Sequence, residues 1–324
     1  MVMTDLERSY QGIAYIFPGQ GSQFVGMGLD LYMTSPSARE GFDQADMALS
    51  FPLSKLMIEG PKSELEQTIN AQPAILIASL ASLAVMQDCM KPFDPKPLAY
   101  AGHSLGEYTA LIASGALSFA KGVLLVKERG RVMQVATERD DGSMAAIIGL
   151  DRNVVADICG DSQVEIANIN TPSQIVISGR REAVNTAIEL AKSKGARKVI
   201  ALPVSGAFHS ELMASAQMGL NAALRSSQID NPRSPVIGNL SGQPLNTESQ
   251  VRDELERQLC GCVDWVKSVE TMVGMGADTF VEIGPGNVLT GLVKRINKDV
   301  NLVNISASDD ARKFAGENIP SIRT

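Results

Sequence analysis

Histidine is the scarcest useful side chain here: 324 residues contain only His103 and His209. Any imidazole base must be one of these two. Cysteine is nearly as sparse. Cys89, Cys159, Cys260 and Cys262 are scattered, and Cys260-Gly261-Cys262 has neither a second ligand pair nor a neighbouring histidine. No metal site is expected from that spacing, and the four thiols read as reduced structural residues. There is no dense basic stretch, and the formal net charge is −7, so the electrostatic footprint of a nucleic-acid binder is missing. No apolar run reads as long enough to span a bilayer. Residues 1–8 lack the apolar core of a signal peptide. The expectation is a cytoplasmic protein with no membrane or nucleic-acid partner. What is present is ordinary for a globular enzyme: 44% hydrophobic and 20% charged residues. The length suits one large core with a smaller inserted domain.

The stretch Ala101-Gly102-His103-Ser104-Leu105-Gly106-Glu107 fits G-x-S-x-G, the nucleophile elbow, in which a serine sits on a sharp turn between a strand and a helix. Its flanks agree, with an apolar strand-like run at 97–101 and a buried-helix pattern at 108–113. Gly102 and Gly106 remove side chains where the chain turns tightly. Ser104 then points into a cleft, and the Leu105 amide at the helix start is placed to hold an oxyanion. A serine needs a base within hydrogen-bond reach. His103 is adjacent to Ser104 and points the other way from a strand end, which leaves His209.

Two further features suit such a site. Val126, Arg129, Val132 and Met133 share one helical face, and an arginine on an apolar stripe is costly to bury unless it meets an anion. The loop at 18–23, after a strand at 13–17, carries Gln20 with its amide donors and acceptor. It lacks the Gly-Lys-Ser/Thr ending of a P-loop, which disfavours nucleotide hydrolysis.

Four motifs then occur in order: Phe17-Pro18-Gly19-Gln20-Gly21-Ser22-Gln23, the elbow, Gly206-Ala207-Phe208-His209-Ser210 and Glu282-Ile283-Gly284-Pro285-Gly286-Asn287. Together they resemble the malonyl-CoA:acyl-carrier-protein transacylases of fatty-acid synthesis and the related polyketide-synthase acyltransferase domains, over about residues 12–305. The resemblance implies Ser104 as nucleophile, His209 as base, and the backbone amides of Gln20 and Leu105 as the oxyanion hole. It implies Arg129 as the partner of the free malonyl carboxylate, through the two-pronged pairing that lysine cannot copy. It also implies a Ser–His dyad, with the second ring nitrogen of His209 oriented by the backbone carbonyl of Gln258. Gln72, His103, Asn168 and Phe208 would line the substrate channel, and Ala207-Phe208-His209 points to malonyl over methylmalonyl. Arg197 and Lys198 would contact coenzyme A and, with Lys194, form the basic patch that an acidic carrier protein needs. The implied substrates and partners are malonyl-CoA and acyl carrier protein, with no cofactor. Cys262 departs from the pattern by standing where proline is usual. Rival readings are an acyl hydrolase with water as acceptor, a free-standing acyltransferase of a polyketide pathway, and a non-catalytic carrier-protein binding module.

For the fold, the order of strands and helices at 142–202 is βαββαβ, the ferredoxin-like split unit. The expected class is α/β: an α/β-hydrolase-like large core with a parallel sheet, plus an inserted ferredoxin-like subdomain. The core is placed at 12–140 and 205–305, the subdomain at 141–204, and a frayed tail at 306–324. Within this frame, Pro73 is expected in the first turn of a buried helix, residues 168–174 in a polar loop, and Trp265 in the core.

Overall fold

The computed structural model describes residues 12–92, 96–204 and 206–318. Residues 1–8, the tail end 319–324 and Ser205 at the expected domain border lie outside them. The protein is a mixed α/β structure built on two sheets.

The larger sheet centres on β1 (Ile13–Phe17), every residue of which is buried. β1 pairs in parallel with β2 (Ala99–Gly102) on one side and β10 (Thr279–Ile283) on the other. Beyond them lie β11 (Asn301–Ile305) and β7 (Val236–Ile237), also parallel, and an antiparallel edge, β8 (Pro244–Leu245). Helices cover both faces, so strands such as Ile13-Ala14-Tyr15-Ile16-Phe17 are continuous apolar runs and do not alternate. Because the strands are parallel, the segments leaving their carboxyl ends gather on one edge. These are the loop at 18–23 after β1, Ser104 after β2 and Asn239 after β7.

The smaller sheet runs β6-β3-β5-β4-β9. β3 (Gly142–Ile148) lies antiparallel to both β5 (Gln174–Arg180) and β6 (Lys198–Ala201), and β4 (Glu165–Thr171) lies antiparallel to β5. The helices Arg152–Ser162 and Arg181–Ser193 place Val155, Ile158, Val184 and Ala187 in one cluster with Ile147 and Ile177. β9 (Val263–Asp264) adds a fifth strand from outside the 141–204 segment, pairing with Asn168 and Ile169 of β4. That graft ties the small sheet to the part of the chain that supports His209.

Several elements depart from the sequence expectation. The helix Thr68–Met90 starts before Gln72, so Pro73 lies inside it, past the first turn. By length and composition this helix could cross a membrane, contrary to the expectation that no stretch could. Here most of it is buried inside the protein, among the helices Pro36–Leu49, Phe119–Arg139 and Ser308–Asn318. Its apolarity all round answers to a core position. The polar loop expected at 168–174 shrinks to the turn at 172–173, because Asn168 and Asn170 are strand residues. The helix after His209 opens with a 3₁₀ turn, Glu211–Met213, before Ala214–Ser226. The helix Glu248–Leu255 begins at a capping box between Thr247 and Gln250. It ends before Gln258.

The tail is not frayed over 306–318. Ser308–Asn318 is a helix, and Ala311, Phe314 and Ala315 are buried against the core at i, i+3 and i+4 spacing. Asp30 accepts the Ser308 amide at 2.7 Å and holds the start of this helix. Trp265 is fully buried, as expected.

Candidate active site

Ser104 sits between β2 and the helix Leu105–Ala113 with φ 52 and ψ −99, a conformation L-residues rarely adopt. Close packing forces it. A Cβ on Gly106 would collide with the Phe17 carbonyl of β1, and one on Gly102 would collide with Gly106 itself. Both glycines are required where helix and strand meet. Leu105 is the first residue of the helix, so its amide lies at the positive end of the helix dipole.

His209 Nε2 lies 2.8 Å from Ser104 Oγ. On the other side of the ring, Nδ1 lies 3.1 Å from the carbonyl oxygen of Gln258 and 3.0 Å from that of Gly261. Two carbonyls can only accept, so Nδ1 carries the proton and Nε2 presents its lone pair to the serine. His209 is 5% exposed. Burial, with the positive charge of Arg129 and the nearby His103 as lesser causes, pushes its pKa down to about 3. The imidazole is therefore neutral at physiological pH.

Arg129 is 1% exposed, and its guanidinium makes three hydrogen bonds. Nη1 donates to Gln72 Oε1 at 2.7 Å, and Nη2 donates to Ser104 Oγ and to Gln258 Oε1, both at 3.0 Å. Its carbon lies 5.3 Å from the Tyr108 ring centroid, within cation–π range. Nε is buried without a partner. Burial lowers the guanidinium pKa, yet arginine remains charged in proteins. A buried cation of this kind calls for an anion, and the apolar face noted in the sequence is the one turned to the serine.

Gln72 is fully buried in the Thr68–Met90 helix, not ahead of it. Its Nε2 reaches Gln20 Oε1 at 3.3 Å and Met133 Sδ at 3.1 Å, and Gln20 Nε2 reaches Thr68 Oγ1 at 3.4 Å. The Gln20 loop is thus joined to Arg129 through one side chain. His103 turns away from Ser104. Its Nε2 meets Asn170 Oδ1 at 2.9 Å, and its ring sits 5.8 Å from that of Trp265. Burial pushes its pKa down.

Asn168 is a buried residue of β4, opposite Val263. It is Asn170, two residues on, that touches the elbow. Phe208 is buried beside His209. Arg197 and Lys198 are exposed at the start of β6, the edge of the small sheet opposite β9. Among the described residues, no three His, Cys, Asp or Glu side chains converge as a metal site.

Two residues absent from the sequence-level site, Asn239 and Glu107, complete it together with the side chain of Gln258. Asn239 accepts the Ser104 amide on Oδ1 and donates from Nδ2 to the Gly102 carbonyl, both at 2.7 Å. Glu107 is fully buried and accepts from the Asn239 amide at 3.2 Å and from Gln258 Nε2. Burial first, and then the neighbouring Glu254, push its carboxyl well above the usual range. The side chain of Gln258 also donates to the Ser104 carbonyl at 2.9 Å. A charged residue inside the apolar run 105–113 was the one local signal for Glu107. Asn239 and the Gln258 side chain had none.

A serine with a neutral base and a buried cation at the same oxygen can form an ester with an acyl group that carries its own negative charge. Known proteins agree with that chemistry. The acyl transferase domain family matches residues 14–312. The malonyl CoA-acyl carrier protein transacylase of Bacillus subtilis is 44% identical over 299 residues, covering 91% of this chain and 93% of that protein. The crystal structure of the acyl-carrier-protein S-malonyltransferase from Bartonella henselae is 41% identical with a TM-score of 0.91, covering 95% of this chain and 99% of that one. A malonyl-transacylase solved in complex with a holo acyl-carrier protein of a type II polyketide synthase is 35% identical with a TM-score of 0.90, covering 94% and 99%. With the fold matched along nearly its whole length and the nucleophile elbow in place, this chain belongs to the acyl transferase domain family.

Proposed function

We propose that this protein transfers a malonyl group from malonyl-CoA to the phosphopantetheine thiol of acyl carrier protein, through a malonyl ester on Ser104. The observation that carries this reading is the 3.0 Å contact between the buried Arg129 guanidinium and Ser104 Oγ, beside a neutral His209. A fixed cation beside the nucleophile supports a short diacid thioester, whose free carboxylate would pair with it. A neutral acyl chain would leave that cation without an anion. The names of the relatives support the same substrate and the same acceptor.

The steps follow from the geometry. His209 Nε2 accepts the Ser104 proton as Oγ attacks the thioester carbonyl, and the amides of Leu105 and Gln20 hold the oxyanion. Nδ1–H stays bonded to the two carbonyls, so the transient imidazolium is stabilised by backbone dipoles alone; this is a dyad. The tetrahedral intermediate expels coenzyme A, whose sulfur takes the proton from His209. The carrier thiol then loses its proton to His209 and attacks the ester, and the released Ser104 oxygen takes that proton back from His209. Each proton, the oxyanion and the carboxylate have a residue assigned, so the proposed route needs no cofactor.

We read the larger sheet and its helices, 12–140 with 205–305, as an α/β-hydrolase-like core. The segment 141–204 reads as the ferredoxin-like subdomain, a reading supported by the strand order β6-β3-β5-β4. Gln72, His103, Asn168 and Phe208 are read as channel residues, Arg197 and Lys198 as contacts for coenzyme A and the carrier protein, and the location as cytoplasmic. The same chemistry would serve a polyketide carrier, as the complex among its relatives illustrates.

Intact-protein mass after brief exposure to malonyl-CoA tests the reading, with Ser104→Ala and acetyl-CoA as controls. A malonyl adduct on the unaltered chain only, discharged quickly by carrier protein and slowly by water, is the expected result. Steady release of coenzyme A without an adduct would favour the hydrolase.

A further inference from the structure

We infer that Asn239 is a positioning residue for the nucleophile, holding the Ser104 backbone in its unfavourable conformation by spanning the elbow from Gly102 to Ser104. The inference concerns the chemistry of Ser104 and rests on the acyl-transfer reading only for its choice of substrate.

Asn239 is fully buried just after β7, the strand that pairs with β2. Its side chain is used on both ends. Oδ1 accepts the Ser104 amide and Nδ2 donates to the Gly102 carbonyl, each at 2.7 Å. These two groups flank His103 at the turn, so one planar amide fixes the entry and the exit of the elbow together. Ser104 has φ 52, and no glycine replaces it because its hydroxyl is needed, so something outside the local chain must hold that conformation. The Ser104 amide is thereby occupied, which leaves the Leu105 amide as the elbow's own oxyanion donor.

The backbone of Asn239 is anchored as well. Its amide donates to Glu107 Oε1 at 3.2 Å, on the helix that follows the elbow. Its carbonyl accepts from the Asp264 amide at 2.9 Å, three residues beyond Gly261, whose own carbonyl receives His209 Nδ1–H. Nucleophile and base are therefore referenced to one another through Asn239, over sequence separations of more than a hundred residues. Asn239 touches neither Arg129 nor Gln72 among the described contacts, so it acts on the geometry of attack and leaves the carboxylate pocket alone.

The test is the acylation rate of Asn239→Ala and Asn239→Asp. A misplacement on the ångström scale costs about 10²-fold in rate. Asn239→Ala is expected to lose at least about 10²-fold in kcat with KM for malonyl-CoA unchanged within about threefold. Asn239→Asp keeps the acceptor for the Ser104 amide but sets a carboxylate oxygen against the Gly102 carbonyl. The position is fully buried, with Glu107 on its backbone amide and Glu254 on the adjacent Leu240 amide. The Asp264 amide is on its carbonyl, and Arg129 and His209 are one step away on Ser104 Oγ. Burial keeps the proton on the introduced carboxyl to higher pH than usual. When protonated, it can donate to Gly102. Its kcat relative to the unaltered chain should therefore rise as pH falls from 8 toward 5.5. If Asn239→Ala does not fold, this pH-dependent recovery in Asn239→Asp decides the matter. Labelling of Ser104 by a fluorophosphonate should slow in parallel, and it needs no malonyl group. Should malonyl-CoA fail on the unaltered chain, the functional reading falls while the labelling still tests Asn239. Acylation and labelling within threefold of the unaltered chain, or a loss in Asn239→Asp that ignores pH, would overturn the inference.

Discussion

Arg129 Nη2 and Ser104 Oγ lie 3.0 Å apart, so the buried cation touches the nucleophilic oxygen directly. The same oxygen is 2.8 Å from His209 Nε2. One hydroxyl thus lies within hydrogen-bond reach of both a neutral imidazole and a buried cation. The two other acceptors on Arg129, from Gln72 and Gln258, hold the guanidinium plane in place.

This geometry makes Arg129 irreplaceable by lysine. A hydrogen bond to a charged group contributes roughly 1.5–3 kcal/mol, and a lysine cannot make the two parallel bonds. Arg129→Lys is expected to lower kcat/KM for malonyl-CoA by about 10²-fold or more, and Arg129→Ala further, with acetyl-CoA affected much less. Steady-state rates with both thioesters check this. Equal losses for the two would show that Arg129 does not read the carboxylate.

The pH behaviour of His209 has a definite sign. Its folded pKa is about 3, against an unfolded value of about 6.5. Between these limits the unfolded chain binds more protons, so stability that is complete above pH 6.5 declines as pH falls toward 3, by about 1.4 kcal/mol per pH unit at most. His209→Gln should flatten that decline in urea titrations between pH 6.5 and pH 4. Acylation by the unaltered chain should stay level from pH 8 to pH 5, since the base is already neutral. An acylation midpoint near pH 6.5 would mean that His209 is hydrated.

The buried pair Glu107 and Glu254 acts in the opposite direction. Burial raises both carboxyls, and Glu254 raises Glu107 further. An acid whose folded pKa exceeds its unfolded value stabilises fully below that unfolded value, about 4.3. The contribution is lost as pH rises through the folded pKa. Glu254→Gln removes one like charge and keeps an acceptor for the Leu240 amide, now at 2.7 Å. Its melting temperature should exceed that of the unaltered chain by a few degrees at pH 8, a gain of roughly 1–2 kcal/mol. The gain should vanish near pH 4, as a pair of thermal melts would show.

The carboxy-terminal helix contributes to stability and not to the site. Phe314 is 2% exposed against the core. Phe314→Ala should cost about 3–5 kcal/mol in chemical denaturation and leave kcat of the folded fraction unchanged. A shift in kcat without a stability loss would place this helix in the catalytic cycle.

The elbow, the strand before it and the helix after it were legible because G-x-S-x-G and its flanks are local: backbone geometry over seven residues demands glycine at 102 and 106. Periodicity likewise located most elements of 142–202, since alternation and 3.6-residue spacing are properties of single segments. Arg129 could be picked out as a charge on an apolar stripe. The tail helix was missed because its charges masked three apolar positions at helical spacing. By itself, then, the sequence determined which hydroxyl sits at the elbow, which imidazole could serve it and which cation could be buried. Only the tertiary structure decided the tautomer of His209, through the carbonyls of Gln258 and Gly261, and the clamp of Asn239 on Ser104. Those contacts join residues 49 to 135 positions apart. They depend on how β7 lies against β2 and how the chain at 258–261 packs under His209, and no local pattern of side chains specifies either.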